Sequence, residues 1–348
     1  MSRKAWLLSI CLKDLITKAL AQYSDVKPPF TLARVLRGHV SKNWLVTSSG
    51  NEYILKVHGK ETSLDRVRFI TSSQQYIWLT TRRAPRICRT VRGSLFDQSN
   101  DAYFVLSEYI LGTSYRPAEL ANEDYRRIGE FLGLVHSSYY KWFSYRGSPE
   151  NLSVPRKPQE RIAALINYHT NVSNDFFCRE ALQYKYAELE RFSTEQTDRL
   201  RDLPMQIIHG DFYLDNLLFG DGREISALVD YDQSCRFFRS YELMKAIVFT
   251  LFQRPENHES ENAIGYLISG YLKAGSLSYG EASNMAELYH WILLSDTFCF
   301  EPNQCPDRDF SRLREFGKRR ISMIRWVAKM KERIQQIAGS LCQARGRT

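Results

Sequence analysis

Two periods of hydrophobic and polar residues divide the chain. In the first hundred or so residues apolar positions come in short alternating runs: "TLARVL", "NWLVTS" and "EYILKVH" read as three strands. The last two are joined by Ser49-Gly50-Asn51, a turn-rich hairpin signal. A helical stretch from about Ser63 to Thr80 follows, then strands near Ile87 to Val91 and Ala102 to Tyr109 around a turn at Gly93. After Gly112 the apolar period lengthens to that of helices, over Asn122 to Tyr139, Pro158 to His169, Arg179 to Leu200, Tyr241 to Phe252 and most of Glu259 to the end. Only "IIHGDFYLDNLLF", Ile207 to Phe219, and its sequel "EISALVDYD" interrupt the helices as strands. Ahead of the first strand, Ala5 to Gln22 reads as an amphipathic helix with Leu7, Ile10, Leu15 and Ala19 on one face. The pattern predicts an α+β chain: a small strand-rich lobe over residues 1–109, then a larger, mainly helical lobe over 110–348.

Composition narrows the classes. A length of 348 residues fits about two domains, by the prior of ~150 residues each. The seven cysteines are scattered without CxxC spacing, which argues against a zinc site or a secreted disulfide framework and for a reduced, cytoplasmic setting. The N-terminus "MSRKAWLLSICLKDL" starts basic, but Lys13 and Asp14 cut its apolar run short of a signal sequence, and no other stretch is apolar for long enough to span a bilayer. The net charge of +9 resides in the tail: from Arg312 onward eleven Lys or Arg face two Glu, leaving 37 basic and 37 acidic residues in the rest. Ile321, Ile324, Trp326, Val327 and Met330 give that tail an apolar stripe, so its cations read as the solvated face of a helix and not as a nucleic-acid groove.

The polar cluster carries the chemistry. His209-x-Asp211-x4-Asn216 followed by Asp230 combines a carboxylate base, a neutral oxygen donor and an anionic one. Phosphoryl transfer from ATP needs such a set, because Mg2+ demands oxygen ligands and the acceptor hydroxyl needs a carboxylate to take its proton. Asp211 is then placed by the acceptor, and Asn216 and Asp230 at the metal. Upstream, Lys56 points off a strand whose alternate residues Tyr53, Leu55 and Val57 face the other way, so it can reach the α and β phosphates.

These residues resemble the phosphotransferase enzyme family of aminoglycoside kinases, choline kinases and type II homoserine kinases, which share the bilobal protein-kinase-like fold. "HGDFYLDN" is similar to the family's catalytic loop, "VDYD" to its metal motif and "ILKV" to its lysine strand; the likeness runs from about Ala19 to Phe252. It implies Asp211 as base, with His209 organising the catalytic loop, and Asn216 and Asp230 as magnesium ligands. It further implies Lys56 on the phosphates of ATP or GTP, "LRGHVSKNW" as the loop over them with Gly38 allowing close approach and Ser41 or Lys42 touching them, and the backbone around Glu108 and Ile110 as the connector that bonds adenine. His136 reads as structural. Asp232 reads as a support or a helix cap, and Tyr213 and Asp215 are candidates to face the acceptor.

One departure stands out. The family pairs its strand lysine with an acid on the next helix, yet no Asp or Glu occurs between Arg66 and Phe96. Ser72, Gln74 or Gln75 occupies the expected turns, and Asp65 or Glu61 is the nearest substitute. The expected activity is that of a kinase for a small-molecule hydroxyl acceptor. "NEDYRR", "YDQSCRFFRSYE" and "HWILLSDTFCFE" are candidate pocket segments; the aromatic and arginine content of the second suggests an apolar or anionic acceptor such as an amino acid or antibiotic. A non-catalytic binding module, and a regulator that uses the basic tail on protein or nucleic acid, are the alternatives.

Overall fold

The computed structural model describes residues 14–35, 42–99, 101–142, 155–253, 258–301 and 310–345. A five-stranded antiparallel sheet in the order β1-β2-β3-β5-β4 is built from β1 (Phe30–Val35), β2 (Lys42–Ser48), β3 (Asn51–His58), β4 (Asp97–Ser99) and β5 (Ala102–Glu108). The β2–β3 hairpin turns on Ser49 (φ 51°) and Gly50 (φ 80°). Two consecutive positive φ angles give a turn whose twist matches that of paired strands, so the register is pinned and Lys56 sits opposite Asn43 and Val105 in mid-sheet. Tyr53, Leu55 and Val57 face the core on the other side of that strand, as the alternation predicts.

The long helix α2 (Leu64–Thr81) follows, with the Ser63 side chain accepting from Arg66 N at 3.1 Å as its N-cap. A leading helix, α1 (residues 14–20), covers the sheet with Ile16, Ala19 and Leu20. Its face is shifted from the expected one: Leu15 is only half-buried, and Leu7 and Ile10 lie outside the described residues. The segment Ile87–Val91 is not a strand. It touches its neighbours only through isolated bridges, Ile87 to Ser107 and Thr90 to Tyr23, because the Gly93 turn folds back on Thr90 and the residues that pair along β5 are Asp97–Ser99.

The rest is mainly helical, in keeping with the expected class: α3 (Asn122–Tyr140), α4 (Pro158–Asn171), α5 (Phe176–Leu189), α6 (Thr194–Arg201), α7 (Arg239–Leu251), α8 (His258–Ala274), α9 (Tyr279–Ser295) and α10 (Phe310–Arg345). The predicted Arg179–Leu200 helix breaks in two because Ser193 and Gln196 form a reciprocal cap that starts α6. Glycines let α3 and α8 approach closely; a Cβ at Gly129 would fall 1.9 Å from the Leu267 carbonyl oxygen. Within α10, Ile321, Ile324, Trp326, Val327 and Met330 are buried while Arg314, Lys318, Arg319, Arg325 and Lys329 are exposed, the division expected of a solvated basic face. Among the described residues no helix is long and apolar enough to cross a membrane. Two short hairpins carry the polar cluster: β6 (Met205–Ile208) pairs with β9 (Cys235–Phe238), which the residue pattern did not reveal, and β7 (Leu217–Phe219) pairs with β8 (Ile225–Leu228).

Candidate active site

Nested hairpins bring the distant acids together. β6 and β9 are joined at Ile208–Cys235, and between them β7 and β8 pair Leu217 with Leu228. One step beyond that pair, Val229 N donates to the Asn216 carbonyl at 2.9 Å, which sets Asn216 beside the start of the Asp230 turn. At the mouth of the outer hairpin Gly210 has φ 80°, and a Cβ there would lie 2.1 Å from the Gln233 carbonyl oxygen, so only glycine fits. Asp230 is itself left-handed (φ 63°), at a cost of roughly 1–2 kcal/mol for a residue with a Cβ. Its carboxylate gains a direction from that turn, since Lys56 Nζ donates to Asp230 Oδ1 at 2.8 Å and lies 2.9 Å from Asp232 Oδ1. Burial opposes charge on both partners, but their mutual attraction wins: the Asp230 carboxyl is held below its ordinary range and the Lys56 ammonium above its own.

Asp211 is gripped from two sides. Asn216 Nδ2 donates to its Oδ2 at 3.1 Å and to its carbonyl at 2.9 Å, leaving Asn216 Oδ1 clear of those bonds. Lys245 Nζ, from α7, donates to Asp211 Oδ1 at 2.7 Å and to the Gly210 carbonyl at 2.8 Å. The loop backbone is anchored by Glu242, whose fully buried carboxylate accepts from His209 N at 3.0 Å, from Gly210 N, and from His136 Nε2 at 2.9 Å. Burial would raise that carboxyl, but the hydrogen bond and charge of His136 hold it below the ordinary range. His209 is also fully buried. Burial pushes its ring below the usual histidine value, and its Nδ1 accepts from Asp211 N at 3.3 Å. Its ring packs edge-on against Tyr231, with centroids 4.7 Å apart.

The missing helix acid is resolved in an unexpected way. Asp65 is exposed and pairs only with Arg68, at 3.4 Å, and neither it nor Glu61 is an ion-pair partner of Lys56, which takes both its partners from the Asp230–Asp232 turn. Gln74 and Gln75 hold the chain at Pro85 and Ile87 instead. α2 contributes a cation: Arg66 donates to the Ser234 carbonyl at 2.6 Å and to the Asp232 carbonyl at 2.5 Å. Arg66, Glu242 and Lys245 have no local motif. The one signal for Lys245 is a charge within the otherwise apolar run "LMKAIVF" on α7.

Of the nucleotide residues, Gly38 and Ser41 lie outside the described residues, and Lys42 opens β2 as an exposed side chain. Glu108 is tied to Arg86, its N–H to the Arg86 carbonyl and its carboxylate to Nε at 2.7 Å. Ile110 makes no backbone hydrogen bond among the described residues. Two of the candidate pocket segments are mostly structural. Asp124 of "NEDYRR" is buried against Arg223, while Phe237 and Phe238 are core and Arg239 is clamped on Glu281. In the third, Asp296 pairs with Arg320 at 3.1 Å. Beside the Lys245 ammonium that bonds Asp211 stand the rings of Tyr213 and Phe249, with Arg319 of α10 against the same Phe249 ring, 5.9 Å from its centroid.

The donor oxygens available suit a hard cation. Asn216 Oδ1 and the Asp230 carboxylate are the ligand types Mg2+ takes. Among the described residues no cluster of three or more His, Cys, Asp or Glu forms a complete cage, so an ion here would share its shell with phosphate oxygens and water.

Comparison with known proteins agrees with this geometry. A profile of the phosphotransferase enzyme family matches residues 31–275. A homoserine kinase of Allorhizobium ampelinum is 32% identical over 272 residues, covering 77% of this chain and 79% of that one. A homoserine kinase of Zymomonas mobilis is 22% identical over 271 residues, covering 76% and 79%. Among solved structures, an amicoumacin kinase in complex with AMP-PNP and Ca2+ superposes with a TM-score of 0.64 at 13% identity, covering 89% of this chain and 92% of that one. Choline kinase from Cryptosporidium parvum superposes with a TM-score of 0.59 at 14% identity, covering 95% and 99%.

Proposed function

The chain belongs to the phosphotransferase enzyme family, and from that premise we propose that it is an ATP-dependent kinase for the hydroxyl of a small, carboxylate-bearing acceptor of the amino-acid type. Asp211 is the base, Lys56 holds the α and β phosphates, and Asn216 and Asp230 are the magnesium ligands. Gly38, Ser41 and Lys42 form the loop over the phosphates, and the Glu108–Ile110 connector receives adenine. When bound, the ion neutralises phosphate charge as the bond to the leaving group lengthens. In the transfer, the acceptor oxygen attacks the γ-phosphorus in line, the bond to the β-phosphate oxygen breaks, and the hydroxyl proton passes to Asp211. His209 and Glu242 keep the loop in place, so that Asp211 is positioned before substrate arrives.

One observation carries the reading: a lysine from the sheet and the metal-type acids of the hairpin turn meet at 2.8 and 2.9 Å, across 174 positions of sequence in the closer pair. The acceptor class rests on the homoserine kinase relatives and on two cations, Lys245 on Asp211 and Arg319 over the neighbouring Phe249 ring; polycationic acceptors would meet like charge there. We infer a cytoplasmic setting from the need for ATP and a small metabolite and from cysteines scattered without CxxC spacing. The test is ADP release by purified protein with Mg-ATP across hydroxylated amino acids, hydroxy acids, amino alcohols and aminoglycosides. Turnover is expected with a hydroxylated amino acid or hydroxy acid, falling at least ~100-fold in Asp211→Asn. Equal turnover in that variant, or turnover only with polycations, overturns the proposal.

A further inference from the structure

Lys245 is left over when the expected parts of the site have been assigned. It occupies mid-α7, where Leu243, Met244, Ala246, Ile247 and Val248 are all buried. An ammonium in such a place is costly unless it is paired and hydrogen-bonded. The chain meets that demand with one of the loop's own groups: Nζ donates to Asp211 Oδ1 at 2.7 Å and to the Gly210 carbonyl at 2.8 Å. As a device for holding the loop, the contact is redundant. Glu242 already takes the N–H groups of His209 and Gly210, and Asn216 already fixes the other Asp211 oxygen.

The arrangement makes sense if the cation serves a third party. An ammonium has three N–H donors, and two are used. The Lys245 side chain is 13% exposed and Asp211 23%, so the pair keeps an opening to solvent. The rings of Tyr213 and Phe249, with centroids 5.9 and 5.8 Å from Nζ, wall it laterally. Any acceptor oxygen within reach of Asp211 brings the γ-phosphoryl group to that same opening.

We propose that Lys245 is a catalytic residue whose third N–H takes an equatorial oxygen of the γ-phosphoryl group during transfer, with the acceptor oxygen bonding to phosphorus, the proton passing to Asp211 and the electron pair of the broken bond leaving on ADP. Lys245 keeps its own protons throughout. It supplies positive charge from the helical side, facing the Lys56 cation on the sheet side, so that the phosphoryl group moves between two fixed cations. This inference rests on the kinase reading above.

The test separates the two ideas by measuring binding as well as turnover. Calorimetry with Mg2+ compares AMP-PNP and ADP, which differ in the γ-phosphoryl group, on wild type, Lys245→Gln and Lys245→Arg. The glutamine amide can still tie Asp211 but carries no charge. Expected is an AMP-PNP affinity about tenfold weaker in Lys245→Gln, with ADP affinity within about twofold of wild type and the melting temperature little changed. Lys245→Arg should keep most of the preference for AMP-PNP. With an accepted substrate, kcat should fall about 100-fold or more in Lys245→Gln, the ATP KM should rise in line with the roughly tenfold loss of AMP-PNP affinity, and ethylammonium should restore part of kcat in Lys245→Ala. An unaltered AMP-PNP to ADP ratio in a folded Lys245→Gln variant overturns the assignment, as does retention of kcat within about threefold. If wild type turns over no acceptor, the kinase reading fails, and the binding ratio still decides the role of Lys245.

Discussion

Helices α2 and α7 both grip the segment from His209 to Ser234. α2 does so with one guanidinium, Arg66, on the carbonyls of Asp232 and Ser234, and with no acid. α7 does so with a fully buried carboxylate, Glu242, on two backbone N–H groups, and with the Lys245 ammonium on Asp211. The α2 side also holds the more open ion pair, Lys56 with Asp230, whose side chains are 18% and 45% exposed. The difference teaches where the site is fixed and where it exchanges. Behind Asp211 the Glu242 carboxylate is buried and fully hydrogen-bonded, which fixes the loop, while Asp211 and Lys245 themselves stay partly open. At Lys56 the partners are near water, so under the proposed function this is the pair that would open to let the lysine take phosphate and Asp230 take the ion.

The comparison breaks first at Glu242. Replacing it by Ala removes the acceptor for two buried N–H groups and leaves His136 without its partner on that side. A loss of about 3–5 kcal/mol is expected, the range for breaking a buried charged network. Urea denaturation measures it. A loss below about 1 kcal/mol would mean that α7 grips the loop no more firmly than α2 does. Arg66→Ala comes next. It removes one charged donor group from two carbonyls at the half-buried edge, so about 1–3 kcal/mol is expected, with weaker ATP binding as the Asp230 turn loosens. Calorimetric titration of ATP checks the second effect; unaltered affinity would detach α2 from the nucleotide side.

Which of these features were legible beforehand follows from their range along the chain. Lys56, Asp211, Asn216 and Asp230 were readable because each sits in a short run whose neighbours demand a strand or a tight turn, and their order is that of a kinase. The same alternation and helical periods placed β1 to β3, α2, α3, α4 and α7. The grip on the loop was not readable. Arg66 and Lys245 meet the loop across 168 and 34 positions, and only the fold decides that an arginine ends on a carbonyl or a lysine on Asp211. The strand β9 was hidden for a related reason. "CRFF" has no alternation clear of its surroundings, and its pairing with β6 exists only because Gly210 and the Asp230 turn fold the intervening residues into a second hairpin. Phe237 and Phe238, read as pocket candidates, are core for the same reason.

Asp65 gives the smallest expected effect and the sharpest test of the α2 side. By position it was the nearest acid to the turns where a partner for Lys56 was expected, and a residue that held the nucleotide lysine could not be removed without weakening ATP binding. It lies in the first turn of α2, 85% exposed, with Arg68 at 3.4 Å as its ion-pair partner. Such a surface pair contributes about 0–1 kcal/mol, and an acid near a helix N-terminus adds a few tenths more. Asp65→Asn is therefore expected to change stability by less than about 1 kcal/mol and to leave the ATP affinity unchanged, since Lys56 keeps Asp230 and Asp232. A tenfold loss of ATP affinity in that variant would show that α2 swings Asp65 toward the lysine when nucleotide binds. The contrast between a fixed α7 and an α2 that gives Lys56 no acid would then describe only the nucleotide-free state.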